Sequence, residues 1–324
     1  MNILVTGGAG YIGGFMVKEL LDQGYTVVVL DSLERSKSDQ LDKRAILVQG
    51  SLLDHQFVKK VFYDHPIDAV IHFAGYISVP ESTQKPELYF SQNVTATLVL
   101  LDQMIQSGVH KIIFSSSAAV YGTPKQIPIP EDHVKAPESP YGESKLMVEE
   151  ILKWYGKAHQ LRSVALRYFN ASGADLDGKR GEAHAIEGHI IPLAIAACIN
   201  DQPFKLFGDD YPTPDGTCVR DYIHVLDLVQ AHLLALKKIE QEEGSFAYNV
   251  GTGKGYSNQE VVDMVKKISQ REFVITTEPR RPGDPAELIA QVEKIKNELG
   301  FSPQYSDLET IISSAWKWHT KTDI

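Results

Sequence analysis

The stretch Thr6-Gly7-Gly8-Ala9-Gly10-Tyr11-Ile12-Gly13 decides the fold of this chain. It follows the apolar run Ile3-Leu4-Val5 and opens a helix predicted from Tyr11 to Gln23, with Gly24 as its stop. Glycines at positions 7, 10 and 13 permit a tight turn, close approach of a phosphate to the backbone and close helix packing, while the helix N-terminus offers N–H donors. In this strand–turn–helix context the spacing predicts a dinucleotide-binding site.

Further short apolar runs follow along the first half of the chain, at residues 27–30, 45–48, 69–73, 112–114 and 164–166. Nearly continuous runs of this length are typical of strands that are covered on both faces. Helical patterns alternate with them, notably over residues 87–107 and 141–159. The alternation predicts an α/β fold of the Rossmann type, with a doubly wound parallel sheet.

The second half differs in composition, with proline-rich loops at residues 211–216 and 280–285 and shorter elements between them. This pattern predicts a smaller α/β lobe that binds the substrate. We expect a dinucleotide-binding domain over residues 1–175 and a substrate domain over residues 176–324, which are free to exchange segments.

Charge and cysteine content narrow the class of protein. The net charge of −10 and the lack of Lys/Arg runs argue against a nucleic-acid partner. Cys198 and Cys218 are too few for a zinc site, so no metal is expected, and they fit buried reduced thiols. The start lacks a signal-peptide pattern, and no segment approaches the ~20 apolar residues that span a bilayer. We therefore expect a cytoplasmic protein with no membrane partner.

Asp31 follows the second apolar run, twenty-four residues after Gly7. An acidic side chain at this place accepts hydrogen bonds from the adenosine ribose and repels a 2′-phosphate, which favours NAD over NADP. The alternative is that Asp31 only begins a loop.

Tyr141 and Lys145 are four residues apart, directly after Ser139-Pro140, which suits a helix start, so both side chains project from one helix face. A nearby ammonium and a positive nicotinamide ring favour the phenolate, which makes the tyrosine a base. Ser115, Ser116 and Ser117 end another apolar run, at the sheet edge where ligands bind. The alternatives are an exposed helix face and a serine-rich turn.

These motifs together resemble the extended short-chain dehydrogenase/reductase family. The resemblance rests on the stretches 7–13, 72–75, 115–122, 141–145 and 167–170, with Asp31. Within that family, residues 207–225, FGDDYPTPDGTCVRDYIHV, resemble the 4-epimerases of UDP-glucose and UDP-galactose. The likeness covers nearly the whole chain.

The resemblance implies a role for each matching residue. Ser117 matches the catalytic hydroxyl, Tyr141 the base and Lys145 the residue that holds the nicotinamide ribose. The implied cofactor-binding residues are Gly7, Gly10, Tyr11, Ile12, Gly13, Asp31, Ser51, Leu52, Phe73, Ala74, Gly75, Asn93, Ser115, Tyr141, Lys145 and Tyr168. The implied substrate-binding residues are Ser117, Tyr141, Asn170, His189, Ile190, Phe207, Arg220, Arg281, Asp284 and Leu288, with the two arginines on the diphosphate.

The implied reaction is a reversible inversion at C4 of a UDP-hexose. The tyrosine takes the proton of the 4-hydroxyl while hydride passes to NAD, and the 4-keto sugar turns over and takes the hydride back, so NAD stays bound. The resemblance also implies a homodimer in which the helices over residues 87–107 and 141–159 pair with their copies.

The chain departs from the family pattern at a few positions. Ser51 stands in place of a common aspartate near adenine, Ile77 in place of a lysine, and His189 in place of an asparagine beside the substrate. Leu288 occupies the position that gates the hexose pocket, where tyrosine restricts the site and smaller side chains admit an N-acetyl group. Turnover of UDP-GlcNAc and UDP-GalNAc is therefore left open.

Three other readings compete with this one. The related 4,6-dehydratases carry Thr-Asp-Glu where this chain has Ser117-Ala118-Ala119, so the acid and base for water elimination are missing. An epimerase of UDP-pentoses or UDP-uronates would share the motifs. A non-catalytic NAD-sensing protein on the same fold is the third reading, although it would have no need of Ser117, Tyr141 and Lys145.

Overall fold

The fold was analysed in a computed structural model that describes residues 1–183, 187–281 and 283–321. The strands are β1 Asn2–Thr6, β2 Thr26–Asp31, β3 Ile46–Gln49, β4 Ala69–His72, β5 Lys111–Ser117, β6 Arg162–Tyr168, β7 Asn170–Ser172, β8 Phe204–Phe207, β9 Val219–His224, β10 Ser245–Val250, β11 Gly255–Ser257, β12 Ile275–Glu278 and β13 Glu287–Leu288.

The helices alternate with these strands through the first half of the chain. They are α1 Tyr11–Asp22, α2 His55–Asp64, α3 Val79–Gln84, α4 Pro86–Tyr89, α5 Ala96–Gln106, α6 Pro140–His159, α7 Ile190–Asn200, α8 Val225–Gln241, α9 Asn258–Ser269, α10 Glu293–Leu299 and α11 Leu308–His319. A π-helical segment, Phe90–Thr95, joins α4 to α5, and short 3₁₀ segments lie at Ser38–Gln40 and Ala118–Tyr121.

Seven strands form the main sheet, in the order β10-β6-β5-β4-β1-β2-β3. The pairs β1–β2, β1–β4, β2–β3 and β4–β5 are parallel. The apolar runs in β1, β2, β4, β5 and β6 are almost entirely buried. The run in β3, at the edge of the sheet, is largely exposed. This is the predicted doubly wound parallel fold, because a parallel sheet needs cover on both faces.

One hydrophobic core packs against this sheet. Its residues come from β1, β2, β4, β5 and β6 and from the helices α2, α5 and α6, and they include Leu4, Leu30, Val70, Phe114, Val58, Leu100, Met104, Val148 and Leu152. Alternate residues such as Ile3, Val5, Ile71 and Ile113 are also fully buried, and α1 lies against β1 and β2. The carboxyl ends of β1, β2, β4 and β5 therefore share one edge of a rigid sheet.

The predicted helices are present with small changes at their ends. Gly24 has φ +84°, the left-handed region that stops a helix, just after α1. The Ser139 hydroxyl accepts a hydrogen bond from the Gly142 N–H at 3.1 Å, and Pro140 is the first residue of α6. The predicted helix over residues 87–107 contains the π segment, which the apolar pattern did not indicate.

Two smaller sheets belong to the second half of the chain. In one, β9 lies between β11 and β13 and also pairs with β7; in the other, β12 pairs with β8. The helices α7, α9 and α11 form their own core, with Ile191, Ile195, Val262, Val265, Ile311 and Ile312 among its buried residues. None of the described helices combines the length and apolar character that crossing a bilayer requires.

The chain divides into two compact units with interleaved segments. The first unit contains Met1–Gly122, Val134–Arg167 and Val229–Tyr248, and the second contains Thr123–His133, Tyr168–Leu228 and Asn249–Ile324. The expected division at residue 175 differs from this at three segments, 123–133, 168–175 and 229–248, which lie in the opposite unit. The physical reason for the last is that β10 pairs beside β6 and so completes the main sheet.

Candidate active site

The glycine-rich turn of the first unit is closed to side chains. A Cβ at Gly7, whose φ is +69°, would lie 2.6 Å from the Ala74 backbone nitrogen, and one at Gly13 would lie 2.3 Å from the Gly7 carbonyl oxygen. Gly10 caps α1 without a side-chain hydrogen bond, and the first turn, which begins with Tyr11 and Ile12, has no acidic residue. The exposed backbone donors and positive dipole end of α1 fit a pyrophosphate.

Asp31 ends β2 with a carboxylate that is only 7% exposed. It accepts hydrogen bonds from the Ala9 N–H at 3.0 Å, the Leu33 N–H at 2.9 Å and the Ser36 hydroxyl at 2.8 Å. A carboxylate offers about four acceptor positions, so one is left for a ribose hydroxyl. Its fixed negative charge beside the α1 turn suits NAD better than NADP.

The residues after β3 and β4 line the same sheet edge. Ser51 accepts a hydrogen bond from the Leu53 N–H at 3.2 Å, and Leu52 is buried. The N–H groups of Phe73 and Ala74 both donate to the Thr6 carbonyl, at 3.0 and 3.1 Å, which ties this loop to the end of β1. The residues predicted to bind the adenosine part of the cofactor thus lie directly after the strands β4, β1, β2 and β3, which are neighbours in the sheet.

Asn93 lies in the π segment and is buried. Its Oδ1 accepts the Tyr76 N–H at 2.7 Å, and its Nδ2 donates to the Tyr76 carbonyl at 3.0 Å and to the Ser144 hydroxyl at 2.9 Å. A Cβ at Gly75 would lie 3.0 Å from Asn93 Oδ1 and 3.7 Å from Lys145 Nζ. The β4 loop, the π segment and α6 therefore meet beside Lys145.

Lys145 is a buried cation on α6. Its Nζ donates a hydrogen bond to the Ser115 carbonyl at 2.8 Å and lies 5.9 Å from the centre of the Tyr141 ring. Burial lowers the pKa of Lys145 to about 8. The ammonium is therefore held against the end of β5, close to the phenol that it is predicted to assist.

Tyr141 is at the start of α6, and Ser117 is at the end of β5. Burial raises the pKa of Tyr141, and a hydrogen bond with the Ser117 hydroxyl acts in the opposite direction. Ser117 Oγ also accepts the Ala119 N–H at 3.2 Å, as the cap of the 3₁₀ segment. The predicted trio is thus brought together. Its phenolate needs positive charge nearby, which Lys145 and an oxidised nicotinamide ring supply.

Sequence reasoning missed a buried ion pair directly behind this trio. Arg167 donates to Glu149 twice, Nε to Oε1 at 2.9 Å and Nη2 to Oε2 at 2.7 Å. Glu149 Oε1 also accepts the Ser116 hydroxyl at 2.6 Å, and Arg167 Nη1 donates to the Tyr121 hydroxyl at 2.7 Å. The sequence offered a signal for Glu149 but not for its pairing with Arg167, because Glu149 stands eight residues after Tyr141 and so repeats the spacing that links Tyr141 to Lys145.

The second unit gathers its predicted substrate residues around β9. Leu288 of β13 pairs in register with Arg220 of β9, and Asn170 of β7 pairs with Tyr222, two residues further on. Asn170 Nδ2 donates to the Asp221 carbonyl at 3.1 Å. The Arg220 guanidinium forms an ion pair with Asp284. Four predicted residues from separate parts of the chain therefore meet on three adjacent strands and their connecting loop.

Two other predicted residues of this unit contact each other. The Arg281 guanidinium carbon lies 4.0 Å from the centre of the Phe207 ring, and Arg281 is exposed. The ring holds the planar guanidinium in place while its N–H donors face solvent. Tyr168, the last predicted cofactor residue, is buried at the end of β6.

A pocket at the start of α7 brings Asn170 together with two more of these residues, His189 and Ile190. Sequence reasoning did not place Tyr222 in it. Tyr222 lines this pocket, and its hydroxyl is buried without a hydrogen-bond partner among the described residues.

His189 Nδ1 lies 2.5 Å from Glu182 and 3.2 Å from Glu187. Partial desolvation opposes its protonation, but the bonds to the two carboxylates outweigh this and raise the pKa of His189 to about 10. At neutral pH the imidazole is therefore a cation held between two carboxylates, a state that an asparagine at this position would lack.

A dinucleotide turn joined to a Ser–Tyr–Lys trio is the arrangement of a pyridine-nucleotide-dependent enzyme. The profile of the NAD dependent epimerase/dehydratase family matches residues 3–251. The chain belongs to this family.

Its relatives include UDP-glucose 4-epimerases. The UDP-glucose 4-epimerase of Lacticaseibacillus casei is 47% identical over 98% of this chain and 97% of its own length. The crystal structure of UDP-glucose 4-epimerase from Bifidobacterium longum in complex with NAD+ and UDP has a TM-score of 0.93 and 40% identity, covering 99% of this chain and 98% of that one. The UDP-Glc/GlcNAc 4-epimerase of Campylobacter jejuni has a TM-score of 0.86 and 40% identity, covering 98% of each chain.

Proposed function

We propose that this chain is an NAD-dependent UDP-glucose 4-epimerase that interconverts UDP-glucose and UDP-galactose through a 4-keto sugar. The observation that carries the proposal is the arrangement of Ser117, Tyr141 and Lys145 where β5 ends and α6 begins. NAD supplies a hydride acceptor and donor when bound, and the glycine turn and Asp31 fit its pyrophosphate and its ribose. The identities to curated relatives support the same assignment.

The chain's own residues move and hold the proton of the reaction. The Tyr141 phenolate accepts the proton of the sugar 4-hydroxyl, and the Ser117 hydroxyl donates a hydrogen bond to the same oxygen. The Lys145 ammonium holds the nicotinamide ribose and stabilises the phenolate. When the 4-keto sugar presents its other face, Tyr141 returns the proton to the carbonyl oxygen, and C4 has the opposite configuration.

The second unit is assigned the grip on UDP. Arg220 and Arg281 bind the diphosphate as forked donors, and Asp284 orients Arg220. Asn170, His189, Ile190, Phe207 and Leu288 are assigned to the rest of the substrate. The first unit is correspondingly assigned NAD.

Leu288 is the residue assigned to limit the size of the hexose. It is partly buried beside Arg220, and leucine is smaller than the tyrosine that would restrict the pocket. A relative of 40% identity acts on both UDP-Glc and UDP-GlcNAc. We therefore include UDP-GlcNAc and UDP-GalNAc as candidate second substrates, with slower turnover than the unmodified pair.

The proposal extends to assembly and location. The helices over residues 87–107 and 141–159 are assigned to a homodimer interface, and the exposure of Trp154 and Met147 on α6 supports this. The acidic charge and the two cysteines without a disulfide support a cytoplasmic enzyme.

The function is tested by incubating the purified protein with UDP-galactose and no added NAD. Formation of UDP-glucose is expected, because tightly held NAD is regenerated in each turnover. Tyr141→Phe should keep bound NAD and lose nearly all turnover, whereas Tyr63→Phe, which alters a tyrosine that is 90% exposed, should match the unmodified protein. Bound NAD without UDP-glucose formation would overturn the assignment and direct attention to UDP-pentoses and UDP-uronates.

A further inference from the structure

We propose that Ser116, Glu149, Arg167 and Tyr121 form a positioning network that fixes Ser117 and α6 in the geometry needed for proton transfer. The inference rests on the proposed function and assigns to the same site four residues that contact neither substrate nor cofactor in that scheme. They act through Ser117 and Tyr141.

The network fastens α6 to the end of β5 at two successive points. Lys145 Nζ donates to the Ser115 carbonyl at 2.8 Å, and one helical turn later Glu149 Oε1 accepts the Ser116 hydroxyl at 2.6 Å. Tyr141 lies one turn before Lys145 on the same helix face. Two contacts to consecutive residues of β5 fix both the rotation of α6 and its position along its axis, and so the position of the Tyr141 phenol relative to Ser117.

The other end of the network holds the segment that Ser117 opens. Arg167, on the neighbouring strand β6, donates to the Tyr121 hydroxyl at 2.7 Å. Tyr121 is the last residue of the 3₁₀ segment whose cap is Ser117. Ser116 precedes Ser117, and Tyr121 ends the segment that follows it, so the network holds the chain on both sides of the catalytic hydroxyl.

Burial makes this arrangement rigid. The side chains of Arg167 and Glu149 are 2% and 1% exposed, and Ser116 and Tyr121 are buried as well. An ion pair so deeply buried is costly to desolvate, and apolar side chains of similar volume often stabilise a fold as well or better. Folding stability alone is therefore a weak explanation for a charged pair at this place, and positioning of the adjacent trio is the better one.

A specific consequence follows for the reaction. The Ser117 hydrogen bond lowers the pKa of Tyr141 against the effect of burial. If Ser117 shifts, this bond weakens and the phenolate becomes harder to form. Loss of the network should therefore reduce kcat and raise the pH at which Tyr141 ionises, with little change in substrate binding.

The test uses two mild variants, because Glu149→Gln leaves a buried arginine unpaired and is liable to unfold. Ser116→Ala removes the hydroxyl that donates a hydrogen bond to Glu149. Tyr121→Phe removes the hydroxyl oxygen that accepts a hydrogen bond from Arg167. Ser82→Ala is the matched control, since Ser82 is a fully buried serine of the same unit whose hydroxyl donates to the Val79 carbonyl at 2.7 Å. Thermal unfolding of the holoenzymes shows how much stability each substitution removes.

Activity and tyrosine ionisation are then measured for each protein. Ser116→Ala and Tyr121→Phe should reduce kcat by about tenfold with KM within about twofold, as expected for lost alignment rather than lost binding. The tyrosinate absorbance, taken as the difference from the matching Tyr141→Phe protein, should titrate at higher pH in both variants by roughly half a unit or more. Ser82→Ala should change neither quantity.

The outcomes separate this inference from the function on which it rests. If both variants lose stability but keep the kcat and the Tyr141 titration of the unmodified protein, the network is structural only and the inference is wrong. If the unmodified protein fails to epimerise UDP-galactose, the proposed function fails, and the tyrosinate titration still decides whether the network positions Ser117 and Tyr141.

Discussion

Each of the two units contains an arginine–carboxylate ion pair, and the two pairs differ in burial. Arg167 and Glu149 of the first unit have side chains that are 2% and 1% exposed, with further bonds to Ser116 and Tyr121. Arg220 and Asp284 of the second unit are 11% and 30% exposed. The first pair is sealed from water, and the second is open to it.

The difference in burial indicates that an arginine–carboxylate pair can either hold the protein framework or bind a ligand. A sealed pair cannot exchange partners, because a separated charge in the interior has no water to replace its counterion, so it holds the protein framework. An arginine that remains open to solvent can add phosphate oxygens to its existing partner. Burial, and not residue type, therefore separates the framework arginine from the arginine that we propose binds the diphosphate.

The largest expected effect comes from breaking each pair on its carboxylate side. Glu149→Gln should lower the free energy of unfolding by about 3–5 kcal/mol, because Arg167 loses a buried counterion. Asp284→Asn should cost less than about 1 kcal/mol, as for a solvent-accessible pair. Denaturant unfolding of the two variants checks this. Equal losses would show that burial does not distinguish the pairs.

A second test compares two neighbouring arginines of the second unit. Arg281→Ala should raise KM for UDP-galactose about 10- to 100-fold with kcat nearly unchanged, since a charged hydrogen bond to the diphosphate is lost from ground state and transition state alike. Arg280 is the matched control, because it is engaged by Asp210 and lies over the Tyr211 ring, 4.2 Å from its centre. Arg280→Ala should leave steady-state kinetics within about twofold. A similar rise in KM for both would remove the assignment of Arg281.

The smallest expected effect concerns the ion pairs of His189, because the His189 side chain is 51% exposed and solvent screens its charge. Its pKa is raised from 6.5 to about 10 by Glu182 and Glu187, after partial desolvation is overcome. A raised folded-state pKa means that this stabilisation is complete below pH 6.5 and is lost as the pH rises through the folded value of about 10. The Tm of the unmodified protein should therefore fall relative to that of His189→Asn across this range. If the difference in Tm between the two proteins stays constant from pH 6.5 to 10, the ion pairs of His189 contribute nothing to stability.

The two units also differ in how much of their structure could be predicted from the sequence. The glycine turn and the Tyr141–Lys145 spacing are local, and local spacing survives folding, so the turn before α1 and the placement of Tyr141 and Lys145 on α6 were predictable. The Glu149–Arg167 pair was not, because it forms only when α6 and β6 are packed together. Likewise the course of residues 229–248 into the first unit depends on the pairing of β10, which local apolar patterns do not encode.

The residues that we propose bind the substrate were indicated by the family resemblance only. Arg220 is 64 residues from Asp284, and the pairing of β9 with β13 brings Arg220 beside Asp284 and Leu288. Nothing in their spacing indicates a shared site. The buried Tyr222 hydroxyl, which has no partner within residues 1–183, 187–281 and 283–321, was likewise visible only in the folded chain.

The central claim is that Tyr141 moves a proton while hydride leaves and returns to the same carbon. The most direct test supplies UDP-galactose with deuterium at C4 of the hexose, in ordinary water and without added NAD, and measures the label in the product. We predict UDP-glucose that retains deuterium at C4. Loss of that deuterium to water would contradict the claim, because C4 would then exchange a proton with solvent instead of a hydride with bound NAD.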